Sequence, residues 1–90
     1  MNNSKIIGLG HYVPDNIVTN DDLSKVLDTS DKWIQSRTGI KERRWVTMES
    51  GDTAATMGVK AARIAIFKAN LIPKDIDFII FATMTPDYYF

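Results

Sequence analysis

Residues 77–83, Asp-Phe-Ile-Ile-Phe-Ala-Thr, have a continuous apolar centre where a strand with one wet face would alternate. Such a run reads as a central parallel strand covered on both faces. Just before it, residues 53–69 carry a narrow polar stripe of Thr53, Thr56, Lys60 and Arg63, and the rest of the circumference is apolar. A helix of that pattern is mostly buried. Its small residues, among them Ala55, Gly58, Ala61, Ala62 and Ala65, allow other backbones to approach closely. Strand, helix, strand suggests a right-handed crossover unit and hence an α/β fold. A chain of ninety residues buries only about 60 to 65 % of its unfolded surface. The strand and the helix ask for more cover than such a chain offers, so we expect an incomplete layer structure.

The remaining elements are short. Residues 5–9 read as a first strand closed by Gly10, with turn chemistry at Pro14 to Asn16. Thr19 and Asp22 have the spacing of a capping box, which predicts a helix over 20–27. Asp28, Thr29, Ser30 and Asp31 offer a second set of caps for a helix over 31–36, ended by Gly39 after Thr38. Residues 42–47 read as a strand whose three charged residues imply an edge or a surface-facing position. Asp52 is the expected cap of the long helix and Asn70 its left-handed stop.

Eleven basic and eleven acidic side chains balance. This argues against nucleic acid as the main partner and leaves any anion site local. No cysteine is present, which removes disulfides, thiolate metal sites and a cysteine nucleophile within these residues. The amino terminus has neither the length nor the flanks of a signal peptide or membrane span, so a cytoplasmic protein with no membrane partner is the expectation.

Thr29, Trp33 and Arg37 are four apart and share one face of a helix and its cap. An indole can stack on a flat base, a guanidinium can grip phosphate, and a hydroxyl can bond a ring nitrogen. Spacing leaves open a plainer arrangement, with Trp33 in the core and Arg37 paired to an acid. Lys41, Arg43 and Arg44 add charge nearby, either as further anion contacts or as a solvated basic edge. His11, the single histidine, lacks a catalytic companion. Gly8-Leu9-Gly10 is half of a dinucleotide fingerprint without its third glycine. No metal site or bound cofactor is expected.

The stretch DTSDKWIQSRTGI over residues 28–40, followed by Lys41-Glu42-Arg43, resembles the amino-terminal signature of β-ketoacyl-acyl-carrier-protein synthase III. KIIGLGHYVPDNIVTNDDL over 5–23, DTAATMGVKAARIAI over 52–66 and DIDFIIFATMTPDYYF over 75–90 resemble the same family in the same order. The resemblance implies a thiolase-like layered α/β/α/β/α fold, with residues 1–90 as the amino-terminal part of its first half. It implies a homodimeric acyltransferase that joins an acyl-coenzyme A primer to malonyl-acyl-carrier protein with loss of carbon dioxide. The family's catalytic cysteine, histidine and asparagine would lie beyond Phe90, leaving the ninety residues inert alone. Thr29, Trp33, Arg37 and Thr38 match family positions that bind coenzyme A, whose thioester is a substrate and not a cofactor. Phe90 matches a position that lines the acyl pocket across the dimer. Relatives that make hydroxymethylglutaryl-coenzyme A, quinolones or polyketide starters share these features, and a non-catalytic nucleotide-binding or dimerisation module is the alternative from another class.

Overall fold

A computed structural model describes residues 2–88, so the expectation for Phe90 lies outside the described residues. The chain forms two compact units, Val13–Gly51 and a second made of Met1–Tyr12 with Asp52–Phe90.

In the unit Val13–Gly51, β1 (Asn16–Thr19) runs into α1 (Asn20–Ser24), followed by α2 (Asp31–Thr38) and β2 (Glu42–Trp45). The two strands pair antiparallel, with Asn16 opposite Trp45 and Thr19 opposite Glu42. β1 falls where the sequence suggested a loop. The β-branched run Ile17-Val18-Thr19 suits a strand, and the turn residues before it set only its start. Thr19 caps α1 through the expected box: its hydroxyl accepts from the Asp22 amide at 3.1 Å, and its own amide donates to the Asp22 carboxylate at 2.9 Å. That helix stops at Ser24, three residues short of the expectation. Ser30 caps α2 by accepting from the Trp33 amide at 3.1 Å. Gly39 ends α2 at φ 73°, a conformation that costs a side chain strain and glycine none. The apolar centre is small, with Val18 and Ile34 each at 9 % exposure.

The other unit is built on α3 (Ala54–Lys68). Its cap is Thr53, not Asp52. Thr53 and Thr56 exchange side-chain and backbone bonds at 3.2 and 2.8 Å, which frees Asp52 to accept from Tyr12 at 2.7 Å and Lys60 at 2.8 Å. Asn70 takes the left-handed conformation at φ 59°, as expected. The glycines of residues 8–10 owe their place to α3. A Cβ at Gly8 would collide with the Ala65 carbonyl, and one at Gly10 with the Ala61 carbonyl and, at 2.7 Å, with the Ala65 nitrogen. Ala61 and Ala65 lie four apart on one helix row, so bare backbone rests directly on a small-residue surface. Along an adjoining row, the Phe81 ring sits where a Cβ on Gly58 would come within 2.9 Å.

The two strands expected at 5–9 and 77–83 belong to no ladder; among the described residues β1 and β2 form the one sheet. A strand exists only with a paired neighbour, and neither segment has one there. The expectation of a mostly buried α3 also fails: none of its residues is buried, and Phe67 is 81 % exposed. Cover from two narrow segments does not reach round the apolar circumference.

Gly10→Ala should therefore destabilise the fold by about 1 to 3 kcal/mol through backbone collision. Gly39→Ala meets no atom within 4 Å, and its cost of about 1 to 2 kcal/mol comes from the left-handed backbone alone. Urea denaturation of the two variants, with hydrogen exchange across α3, checks this: exchange in α3 should rise for Gly10→Ala and stay unchanged for Gly39→Ala.

Candidate functional site

α2 presents the face that the spacing indicated. With Ile34 turned inward, Trp33 next to it is 56 % exposed among the described residues, where the plainer arrangement would have it packed in the core. The Arg37 guanidinium carbon lies over the indole ring, 5.5 Å from its centre, as a cation–π pair. Asp28, Thr29, Ser30 and Trp33 line an open hollow of about 320 Å³. The Thr29 hydroxyl oxygen is buried without a hydrogen-bond partner, so one polar atom beside the hollow is unsatisfied. Thr38 behaves differently. Its hydroxyl donates to the Ile34 carbonyl at 2.8 Å and accepts from the Ile40 amide at 3.0 Å, closing the end of the helix. Its one proton is committed, so it retains acceptor capacity and no free donor for a phosphate.

Behind α2 lies a residue that the sequence reading passed over. Asn20 is 1 % exposed. Its amide donates to Asp31 Oδ1 and to the Ile40 carbonyl, both at 2.8 Å, and its oxygen accepts from Arg43 Nη2 at 2.7 Å. Asp31 also accepts two bonds from Gln35 Nε2, at 2.8 and 2.9 Å. The Gln35 bonds, then the Asn20 bond, hold the Asp31 carboxyl below its ordinary value, because each favours the ionised form. A residue directly after a capping threonine normally faces water, so no local signal marks Asn20 as buried.

The basic group near α2 is not a uniform solvated edge. Arg43 Nη1 donates to the Val18 carbonyl at 3.2 Å, and Arg44 Nη1 to the Pro14 carbonyl at 2.9 Å. Both arginines tie the ladder to neighbouring backbone.

In the other unit, Tyr12, Asp52 and Lys60 form a polar cluster, with the Lys60 ammonium 4.4 Å from the centre of the Tyr12 ring. Lys60 and then Tyr12 push the Asp52 carboxyl down, while Asp52 raises both the lysine and the phenol. Each shift carries the group's pKa further from pH 7, the opposite of a poised acid or base, and the bonds among the three tie residues 5–12 to α3. His11 is exposed. Among the described residues no group of acidic or histidine side chains could hold a metal ion, and no helix is long and apolar enough to cross a membrane.

No family model matches the chain. It is 54 % identical over 89 residues to a β-ketoacyl-acyl-carrier-protein synthase III of Clostridium acetobutylicum, covering 99 % of this chain and 26 % of that protein. A protein of the same description from Lactococcus lactis is 51 % identical over 84 residues, 93 % of this chain and 25 % of the relative. The crystal structure of 3-oxoacyl-acyl-carrier-protein synthase III from Aquifex aeolicus superposes with a TM-score of 0.88 at 51 % identity, over 96 % of this chain and 27 % of that one. The priming β-ketosynthase of the R1128 polyketide pathway superposes at 0.74 with 36 % identity, over 81 % and 21 %. The chain thus spans about a quarter of the length of the curated relatives it matches.

These likenesses define the class: an α/β chain of thiolase-like fold, related to condensing enzymes. Within it, the chain is similar, at 51 to 54 % identity, to about a quarter of the length of β-ketoacyl-acyl-carrier-protein synthase III proteins.

Because Asp31 has a depressed pKa in the folded state, its contribution to stability is complete above the ordinary carboxyl value of 3.8. It is lost as pH falls through the lower folded value. The side-chain amide resonances of Asn20 and Gln35 should keep their folded shifts above pH 3.8 and move together below it. In Asp31→Asn that acid transition should be absent from both resonances.

Proposed function

We propose that these residues are the opening part of the first thiolase-like half of an acyltransferase that condenses an acyl-coenzyme A primer with malonyl-acyl-carrier protein. The products of that reaction are a β-ketoacyl-acyl-carrier protein, carbon dioxide and free coenzyme A, and the reaction starts fatty-acid synthesis. On this reading the enzyme is a cytoplasmic homodimer. Its nucleophilic cysteine, with the histidine and asparagine that assist decarboxylation, lies beyond Phe90. The ninety residues alone do not turn over substrate.

The contribution of this chain is the coenzyme A end of the site. Trp33 stacks on the adenine, Arg37 binds phosphate, and the Thr29 hydroxyl bonds the base or the chain next to it. Thr38 closes the helix so that Arg37 stands beside the ring, and its remaining lone pairs are open to a donor. The observation that carries this reading is the pairing of an exposed Trp33 with Arg37 at 5.5 Å, next to an unsatisfied Thr29 hydroxyl. A stacking plate, a fixed cation and a spare hydroxyl are what a nucleotide needs, and none of them is required by the packing of α2 itself.

A second reading keeps the site and changes the product. Its support is the weaker likeness to a polyketide priming synthase, with a polyketide starter in place of a fatty-acid one. Both readings use the same coenzyme A face, so the range of acyl primers accepted separates them. The exposed apolar residues, such as Ile6 at 80 % and Ile80 at 83 %, argue against a free-standing binding module.

Titration calorimetry with coenzyme A on the full-length protein tests the face. Trp33→Ala and Arg37→Ala should each weaken binding by about ten-fold or more, the loss expected for a stacking or charge-assisted contact. Lys74→Ala, remote in sequence from α2, should leave it unchanged. Equal affinity in all three variants would refute the assignment.

A further inference from the structure

We infer that Asn20 is a positioning residue for the nucleotide face of α2, an inference that rests on the coenzyme A reading above. Its two amide protons go to opposite ends of the same helix. One bonds Asp31, the first residue of α2, and the other bonds the carbonyl of Ile40, just past the Gly39 cap, both at 2.8 Å. The carboxamide oxygen accepts from Arg43 at 2.7 Å, while the same guanidinium donates to the Val18 carbonyl at 3.2 Å. The Asn20 backbone amide donates to the Lys41 carbonyl at 3.2 Å. One planar group therefore references both ends of an eight-residue helix to the β1–β2 ladder.

Apolar packing cannot do this for α2. Ile34 is its one buried residue, and a single apolar contact holds a helix down without fixing its rotation or tilt. Hydrogen bonds are directional, and two of them at opposite ends of the helix constrain both motions. Trp33 adjoins Ile34 in sequence, so a small rotation of α2 carries the indole and the Arg37 guanidinium off the positions where a base and its phosphate would lie. Asparagine suits the post because it offers two donors and an acceptor on a short, rigid plane. Aspartate would place an acceptor oxygen against both the Asp31 carboxylate and the Ile40 carbonyl, and serine could supply one donor only.

The test uses the full-length protein and two substrates that differ only at the nucleotide end: an acyl-coenzyme A and the same acyl group on pantetheine. Asn20→Asp keeps the side-chain volume and the Arg43 contact but breaks both bonds to α2. It should lower kcat/KM for the coenzyme A thioester by about ten-fold or more, mainly through KM, and that for the pantetheine thioester by less than about two-fold. The double variant Asn20→Asp with Asp31→Asn restores a donor between the two positions and should recover part of the loss. If Asn20→Asp does not accumulate as folded protein, Asn20→Ser gives the same readout with one of the two bonds retained.

An equal fall for both substrates would overturn the inference by making Asn20 a general stability residue, and so would an unchanged coenzyme A reaction. Trp33→Ala in the same assay separates the two levels. If it leaves the ratio of the substrates unchanged, the nucleotide reading fails and this inference with it. If it shifts the ratio while Asn20→Asp does not, the positioning role alone fails.

Discussion

A buried carboxamide organises the unit Val13–Gly51. Removing an amide from water costs several kcal/mol unless its hydrogen bonds are remade, and Asn20 remakes three of them with residues 11, 20 and 23 positions away. Such a centre is demanding in a way that an apolar one is not. Each partner must arrive at the right distance and angle, so the caps that fix the ends of α2 become part of the core. Ser30 starts the helix so that Asp31 faces inward, and Thr38 and Gly39 end it so that the Ile40 carbonyl comes round to the same amide. Val18 and Ile34 supply apolar burial, but the arrangement in space is set by the polar bonds.

The unit around α3 solves its packing by the absence of side chains. Gly8 and Gly10 let backbone rest on the Ala61 and Ala65 carbonyls, and Gly58 makes room for the Phe81 ring. Contacts of this kind are close but narrow, and they gain little specificity from shape alone. The Tyr12, Asp52 and Lys60 cluster adds the specificity: a hydrogen bond, an ion pair at 2.8 Å and a cation–π contact converge where residues 5–12 end and α3 begins. The Asp52 side chain is 5 % exposed, so its pairing with Lys60 is less screened than an ordinary surface pair would be.

What could be read from the amino acids divides along the line between local and distant partners. The Thr19–Asp22 box, the stop at Gly39, the left-handed Asn70 and the shared face of Trp33 and Arg37 are each decided within four residues, and each is found in the structure. Asp52 looked like a cap because of its type and place, but Thr53 and Thr56 do that work, and the attraction of a distant Tyr12 and Lys60 decides the carboxylate's direction. β1 was hidden by turn residues just before it, although its pairing with β2 depends on Ile17 and Val18 meeting Arg44 and Arg43. Asn20 was illegible for the same reason on a larger scale. Nothing within four residues of it predicts burial, since its partners come from α2, the chain after Gly39, and β2.

The segment at 77–83 carries this reasoning to its last step. Its apolar run was written for cover on both faces, and Phe81 does find Gly58, yet Phe78, Ile79 and Ile80 are about four-fifths exposed. Even complete contact with α3 would serve one face only, because successive side chains of an extended segment point to opposite sides. The other face needs a second layer, and a layered α/β fold supplies one by placing helices on both sides of a sheet. The synthase III structure from Aquifex aeolicus, of which this chain spans 27 %, superposes on it with a TM-score of 0.88. The sequence of 77–83 is therefore consistent with a sheet interior, and its exposure here measures how much of the surrounding fold a strand of that kind depends on.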